Sequence, residues 1–255
     1  MSDDGARVVD VSVAFGAATP PFPGDTPFHC GWAWDMAQGA SVNVGRVTTS
    51  LHVGTHADAP LHVRHGAPTS ETLPLDVFRG PARVIDVSHF GDGHEITPAE
   101  LHAALGGDDV PTRLLLRTGR CVAGGTFPEG WPALHADTAR GLVAGGLRLL
   151  GTDCPSADLR PAQALVVHHA LFDGGAYNLE NLRLEHAEPG EYELVAYPVL
   201  VAGADAAPVR AVLVRLAQRP MAVPAMPPPH RRSPREPAPR RSRALPTQPT
   251  PPSHH

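Results

Sequence analysis

The sequence predicts a strand-rich α/β (α+β) single domain over residues 1–217, followed by a disordered tail over 218–255. Three observations carry this. Short runs of β-branched and alternating apolar residues recur along the first part, as strands require. Only a few segments carry helix start and stop signals, and they do not alternate with strands in a regular βαβ repeat, which argues for a layered mixed domain rather than a Rossmann sheet. After Ala217 the composition turns to Pro, Arg and Ser, as in Pro227-Pro228-Pro229 and Arg231-Arg232-Ser233-Pro234-Arg235. That stretch has neither a 3.6 nor a 2.0 period and too few large apolar groups to offset the entropy of ordering.

Arg7 to Val13 reads as the first strand, with Val8, Val9, Val11 and Val13 β-branched. The prolines of Ala18 to Asp25 favour an extended, unpaired loop. Val42 to Ser50 alternates and leads into a histidine-rich segment, and Ala82 to Val87 is a further short strand. Thr97-Pro98-Ala99-Glu100 starts a helix: Thr97 caps, Pro98 sits at the first helical position, and Glu100 completes a capping box. Gly106-Gly107 ends that helix near Leu105. Arg113 to Arg117 reads as a buried strand. Asp137 or a neighbour caps a helix ending near Gly145-Gly146, and Leu147 to Gly151 returns as a strand. Leu165 to Leu171 is apolar and holds His168 and His169; Tyr192 to Tyr197 and Pro208 to Leu216 close the domain as strands. No internal repeat is present.

Charge separates the two parts. Residues 1–217 hold 14 Arg against 25 acidic residues, and the tail holds 7 Arg against Glu236 alone. An acidic folded part argues against a nucleic-acid-binding core, and the basic tail reads as a solvated extension. Cys30, Cys121 and Cys154 lack metal-type spacing and do not suggest a disulfide framework. The N-terminus has no signal-peptide pattern and no apolar run approaches a membrane span, so a cytoplasmic protein without membrane contact is expected.

The densest chemistry lies between His52 and His62: His52-Val53-Gly54-Thr55-His56-Ala57-Asp58-Ala59-Pro60-Leu61-His62. Imidazole nitrogen and carboxylate oxygen suit Zn²⁺ and similar divalent ions. Residues 52, 56, 58 and 62 share parity, so an extended chain turns them to one side. Gly54 and Pro60 argue against a helix. The rival is a His-rich surface loop, which four candidate ligands in so short a segment disfavour. Downstream, His168, His169 and Glu180 are plausible further donors, with Asp58 or Glu180 bridging two ions. Taken singly, the bland readings are a core or surface histidine for His168, a solvated carboxylate for Glu180 and an apolar loop anchor for Phe22; for His168 the ligand reading is favoured. Asp25 and Asp153 read as turn or capping residues, and the remaining histidines lack ligand spacing.

With His52 before it, Thr55-His56-Ala57-Asp58-Ala59-Pro60-Leu61-His62 resembles the metal-binding signature of the cyclase family of metal-dependent amidohydrolases. Further segments resemble its kynurenine formamidase (arylformamidase) branch: Phe22-Pro23-Gly24-Asp25-Thr26-Pro27-Phe28, Ser41 to Arg46, Gly151 to Ser156, His168-His169, Gly190 to Leu194 and Pro208 to Leu213. The resemblance implies a swivelling β/β/α fold, a homodimer or higher homo-oligomer, and two Zn²⁺ per subunit, with Mn²⁺ as the alternative. It assigns His52, His56 and Asp58 to the first zinc. Asp58 and Glu180 become bridging carboxylates, His168 completes the second zinc, His62 is the general acid/base, and Phe22 stands where a substrate-binding Trp is usual. The implied reaction is hydrolysis of N-formyl-L-kynurenine, an N-formyl aryl amine, to L-kynurenine and formate, in tryptophan catabolism or a kynurenine-derived pathway. Phe22 lacks the indole N–H, and the stretch Ala157 to Val167 departs from the branch's more polar pattern, so substrate choice is where the chain differs. Two rivals remain: a cyclic amidase of the isatin hydrolase kind, and a metal-stabilised binding protein without turnover.

Overall fold

A computed structural model describes residues 7–160 and 162–215; the expected disordered tail lies outside these. In chain order the strands and α-helices are β1 (Arg7–Asp10), β2 (His29–Trp34), β3 (Val44–Thr48), β4 (His56–Asp58), β5 (Arg79–Asp86), β6 (Glu95–Ile96), α1 (Pro98–Ala104), β7 (Arg113–Arg117), β8 (Ala133–Leu134), α2 (Ala136–Ala144), β9 (Leu149–Thr152), α3 (Val166–Asp173), β10 (Tyr177–Glu180), β11 (Gly190–Val195), β12 (Ala206–Pro208) and β13 (Val212–Arg215). Nine strands form one sheet in the order β1-β13-β11-β5-β7-β9-β10-β4-β12. Its centre, β5-β7-β9-β10, is parallel. The strands outside it pair antiparallel on both flanks.

The mixed α/β, strand-rich class agrees with the sequence, but the centre corrects one expectation. Apart from the two-residue strands β6 and β8, which pair with each other in a separate sheet, β5, α1, β7, α2, β9, α3 and β10 run in order as three βαβ crossovers. The sequence hides them because the helices span only 7 to 9 residues and the strands 4 to 8. Such windows are too short for a helical period to stand out.

Strand alternation places a core on each sheet face. Val84, Leu115 and Leu149 join Phe78, Leu179, Tyr192 and Leu213 on one side. Ile85, Leu114, Leu116 and Leu150 meet Leu101, Leu142 and Leu171 of the three helices on the other. The α1 start forms as expected: Thr97 N–H donates to Glu100 Oε2 at 2.8 Å, and Glu100 N–H donates to Thr97 Oγ1 at 3.4 Å. For α2 the cap is His135, whose Nδ1 accepts from Asp137 N–H at 3.2 Å, rather than Asp137 itself. The Val42 to Ser50 strand contracts to β3 and pairs with β2 in a separate hairpin. That hairpin and its flank expose Trp32, Trp34, Met36, Val44 and Val47. No helix among the described residues is long and apolar enough to cross a membrane.

Candidate metal centre

The histidine-rich segment is not one extended strand. Gly54 has φ +73°, and a Cβ there would lie 2.8 Å from the Ala14 carbonyl oxygen, so only glycine fits this turn. Thr55 locks it: its hydroxyl accepts from Val13 N–H at 2.7 Å and donates to the Asn181 carbonyl at 2.6 Å. β4 then runs between β10 and β12, with His56 opposite Glu180 and Asp58 opposite Ala206. His56 and Asp58 therefore share a face, as parity predicts, while Ala57 enters the core. Parity does not account for His52 and His62. They arrive from the Gly54 turn and from a 3₁₀ turn over Pro60–His62.

Three donor atoms converge. His52 Nδ1 and His56 Nε2 are 3.0 Å apart, and Asp58 Oδ1 lies 3.2 Å from the first and 3.3 Å from the second. Metal–ligand bonds of about 2.0–2.1 Å in a tetrahedron place neighbouring ligand atoms about 3.3 Å apart. The outer nitrogens are engaged: His52 Nε2–H donates to Asp205 Oδ2 at 3.0 Å, and His56 Nδ1–H to the Gly54 carbonyl at 2.9 Å. With those tautomers, both inner lone pairs point at the triad. Asp58 Oδ1 is fully buried without a hydrogen-bond partner. A buried carboxylate oxygen facing two imidazole lone pairs is costly unless a cation sits among them, so the residues fit a divalent metal.

A second set shares Asp58. His168 Nε2 lies 3.2 Å from Asp58 Oδ2 and 3.0 Å from Glu180 Oε1. Asp58 thus turns one oxygen to each set, as a bridging carboxylate must. Asp158 positions His168: it accepts from Val167 N–H (2.9 Å), His168 N–H (3.1 Å) and His168 Nδ1–H (2.6 Å). One carboxylate therefore satisfies the first turn of α3 and fixes the imidazole tautomer. Asn178 Nδ2–H donates to Asp58 Oδ2 at 2.6 Å and Glu180 Oε1 at 2.9 Å. His169, the competing candidate, lines a separate surface groove with Arg140, Val143 and Asp173.

The electrostatics agree with a cation-seeking site. Burial would raise the Asp58 carboxyl, but His56, His168 and His52 hold it well below the usual carboxylate range. Burial lowers an imidazole pKa, yet the Asp205 and Asp58 carboxylates more than offset this and push His52 up to about 10. His168 is likewise raised against its burial by Asp158, Asp58 and Glu180. Four buried or half-buried carboxylates, Asp58, Asp158, Glu180 and Asp205, thus favour positive charge in the cluster, as bound cations or as protons on its histidines.

The donors open into a cavity of about 420 Å³ lined by His52, His62, Glu180, Phe22, Phe127 and Trp131 among others. His62 is half-exposed, its ring centroid 4.4 Å from that of His52 and 5.8 Å from that of His168. Its Nδ1 lies 3.5 Å from Asp205 Oδ2. Phe22 packs edge-on against Phe127 at 5.4 Å between centroids. All seven residues singled out from the sequence (Phe22, His52, His56, Asp58, His62, His168 and Glu180) fall in this one region. Asp25 lines the cavity too and accepts from the Ser50 hydroxyl at 3.1 Å, while Asp153 holds the turn at Thr118 and Gly119.

Sequence reasoning missed Asp205, Asp158 and Asn178. Asp205 precedes β12, whose register on β4 carries it to the two histidines. No spacing marks it. Asp158 lies ten residues before His168, and Asn178 two before Glu180 on the same strand face. The period-2 rule could have flagged Asn178 once β10 was recognised as a strand.

A family model named "Cyclase" matches residues 9–159. Kynurenine formamidase of Bordetella avium (strain 197N) is 42% identical over 211 residues, 82% of this chain and 99% of that protein. Kynurenine formamidase of Bacillus cereus (strain ATCC 14579) is 42% identical over 206 residues, 80% of this chain and 96% of that protein. A solved structure described as a potential metal-dependent hydrolase with cyclase activity superposes with a TM-score of 0.70 at 28% identity, over 84% of this chain and 100% of that one. An isatin hydrolase bound to thioisatinate has the same TM-score at 22% identity, over 82% of this chain and 92% of that one, and shares the fold. On a matching family model, near-full-length relatives at this identity and a common architecture, the chain belongs to the cyclase family.

Proposed function

We propose that this protein is a metal-dependent arylformamidase that hydrolyses N-formyl-L-kynurenine to L-kynurenine and formate. The observation that carries the reading is Asp58, which turns Oδ1 to His52 and His56 and Oδ2 to His168 in a cluster that opens on one cavity. The formamidase relatives, at 42% identity, support the reaction class. The isatin hydrolases match at 22–24% and support only the fold.

In this reading His52, His56 and Asp58 hold one zinc, and Asp58, Glu180 and His168 hold a second; Mn²⁺ is the alternative occupant. Such ions supply Lewis-acid polarisation of the formyl carbonyl and a water of lowered pKa. The chain's residues do the rest. The aromatic wall of Phe22, Phe127 and Trp131 takes the aryl ring and excludes water beside the amide. Water adds to the formyl carbon, the carbon–nitrogen bond breaks, and the aniline nitrogen must leave protonated, because an anilide anion is too basic to depart. His62 stands beside the donor cluster to carry that proton, and Asp205 orients its Nδ1. The product amine would feed tryptophan breakdown or a kynurenine-derived pathway. Association into a homodimer or larger homo-oligomer belongs to the same reading and is supported by the apolar side chains exposed on the β2–β3 hairpin.

Metal content and formate release from N-formyl-L-kynurenine, measured on one preparation beside ring opening of isatin, test the proposal. Two zincs per chain with formate release is the expected result. Isatin opening without formate release refutes it, as does a metal-loaded chain inert on both.

A further inference from the structure

The cavity over the metal donors carries an unclaimed cation. Arg160 is the one Arg on its lining among the described residues. Its Cζ stands 5.4 Å from the Phe127 ring centroid, and one terminal N–H donates to the Pro128 carbonyl at 3.2 Å. Most other arginines pair with a carboxylate, as Arg64 does with Asp173 and Arg210 with Asp10. Arg160 makes no such pair among the described residues, so its remaining N–H donors are left for a ligand.

The wall that fixes it is stiff. Phe127 packs edge-on against Phe22 and Trp131, at 5.4 and 6.1 Å between centroids. Trp131 is buried, and its indole N–H donates to the Asp158 carbonyl at 2.8 Å. Asp158 is the residue that orients His168, so the guanidinium is tied through two residues of backbone to the metal centre. A guanidinium held beside an aromatic ring by a cation–π contact and one hydrogen bond is partly ordered in advance, and its planar fork suits a carboxylate.

We infer that Arg160 binds a carboxylate on the substrate, so that the amide cleaved belongs to an aryl amine bearing an amino-acid or other acidic arm. The inference rests on the formamidase reading and sharpens it. An aryl amide without an anionic group leaves this guanidinium facing solvent, whereas the amino-acid arm of N-formylkynurenine supplies the missing partner.

The test compares N-formyl-L-kynurenine with an uncharged N-formyl-2-acylaniline on wild type, Arg160→Gln and Arg160→Lys, after matched metal content and melting temperature show all three folded and loaded. Arg160→Gln should raise KM for the acidic substrate about 10- to 100-fold, the range for a charge-assisted hydrogen bond, while kcat changes little. The preference for the acidic over the uncharged substrate, as the ratio of kcat/KM values, should fall by the same factor. Arg160→Lys should recover part of it. An equal rise in KM for both substrates would mean that Arg160 only props the Phe127 wall, and no change would mean that it binds nothing; either overturns the assignment alone. Wild type inert on both substrates overturns the formamidase reading and the subsite with it.

Discussion

The first donor triad, His52, His56 and Asp58, comes from one short segment, whereas the second brings His168 and Glu180 to Asp58 from positions 110 and 122 further along the chain. The two are also held differently. The first hangs on the Gly54 turn and stays partly open, with His52 reaching towards the half-exposed Asp205. The second is sealed: His168 is 1% exposed, Asp158 grips its outer nitrogen, and the Asn178 side-chain Nδ2–H and the Ala157 backbone N–H both donate to Glu180 Oε1. A local segment can aim ligands at low folding cost, here leaving only the His52 edge partly open to solvent. A site assembled from a helix and a strand pays long-range closure but is locked by its supporting contacts.

That contrast can be broken at its shared member. Asp58→Ala removes a donor from both sets, so metal content should fall to zero by elemental analysis and hydrolysis by on the order of 10³-fold or more. His62→Gln belongs to neither set. It should cost about 10²–10⁴-fold in kcat, as loss of a general acid does, while both metals remain; a variant with normal metal and full rate would remove His62 from the chemistry. Asp158→Ala addresses the sealed set alone. It should weaken one metal about 10- to 100-fold in a chelator titration and leave the other unchanged. The uncapped first turn of α3 should also cost about 1 kcal/mol in urea unfolding. Gly54→Ala addresses the open set. Forcing a Cβ into a left-handed turn against the Ala14 carbonyl should cost about 1–2 kcal/mol and weaken the other metal selectively. If Asp158→Ala and Gly54→Ala weaken the same metal, the two sets are not separate.

Legibility followed the same divide. His52, His56, Asp58 and His62 could be singled out because ligand types crowd within eleven residues. His168 and Glu180 could be offered from residue type only as plausible further donors beside His169, and the family resemblance is what chose between them, since neither carries a local signal. Asp205 could not be found at all: it sits in an Ala-Gly rich stretch and matters only because β12 pairs with β4. Arg160 shows the same limit, since nothing in Ala157-Asp158-Leu159-Arg160 marks a residue that meets the Phe127 ring and lines the cavity. In the fold, the capping box of α1 and the apolar run of β7 were readable because each is set by near neighbours. The parallel order of β5, β7, β9 and β10 was not, since helices of two turns leave little periodicity.

By itself the sequence determined the strand-rich class, the first helix with its cap, and the metal-seeking chemistry of the His52 to His62 segment, because these depend on residue type and spacing along the chain. Only the tertiary structure decided which oxygen of Asp58 faces which histidines, that His168 rather than His169 joins them, and that Asp205, Asp158 and Arg160 surround the site. Those facts are contacts between segments far apart in sequence. Strand register and helix packing set them, and no local pattern encodes either.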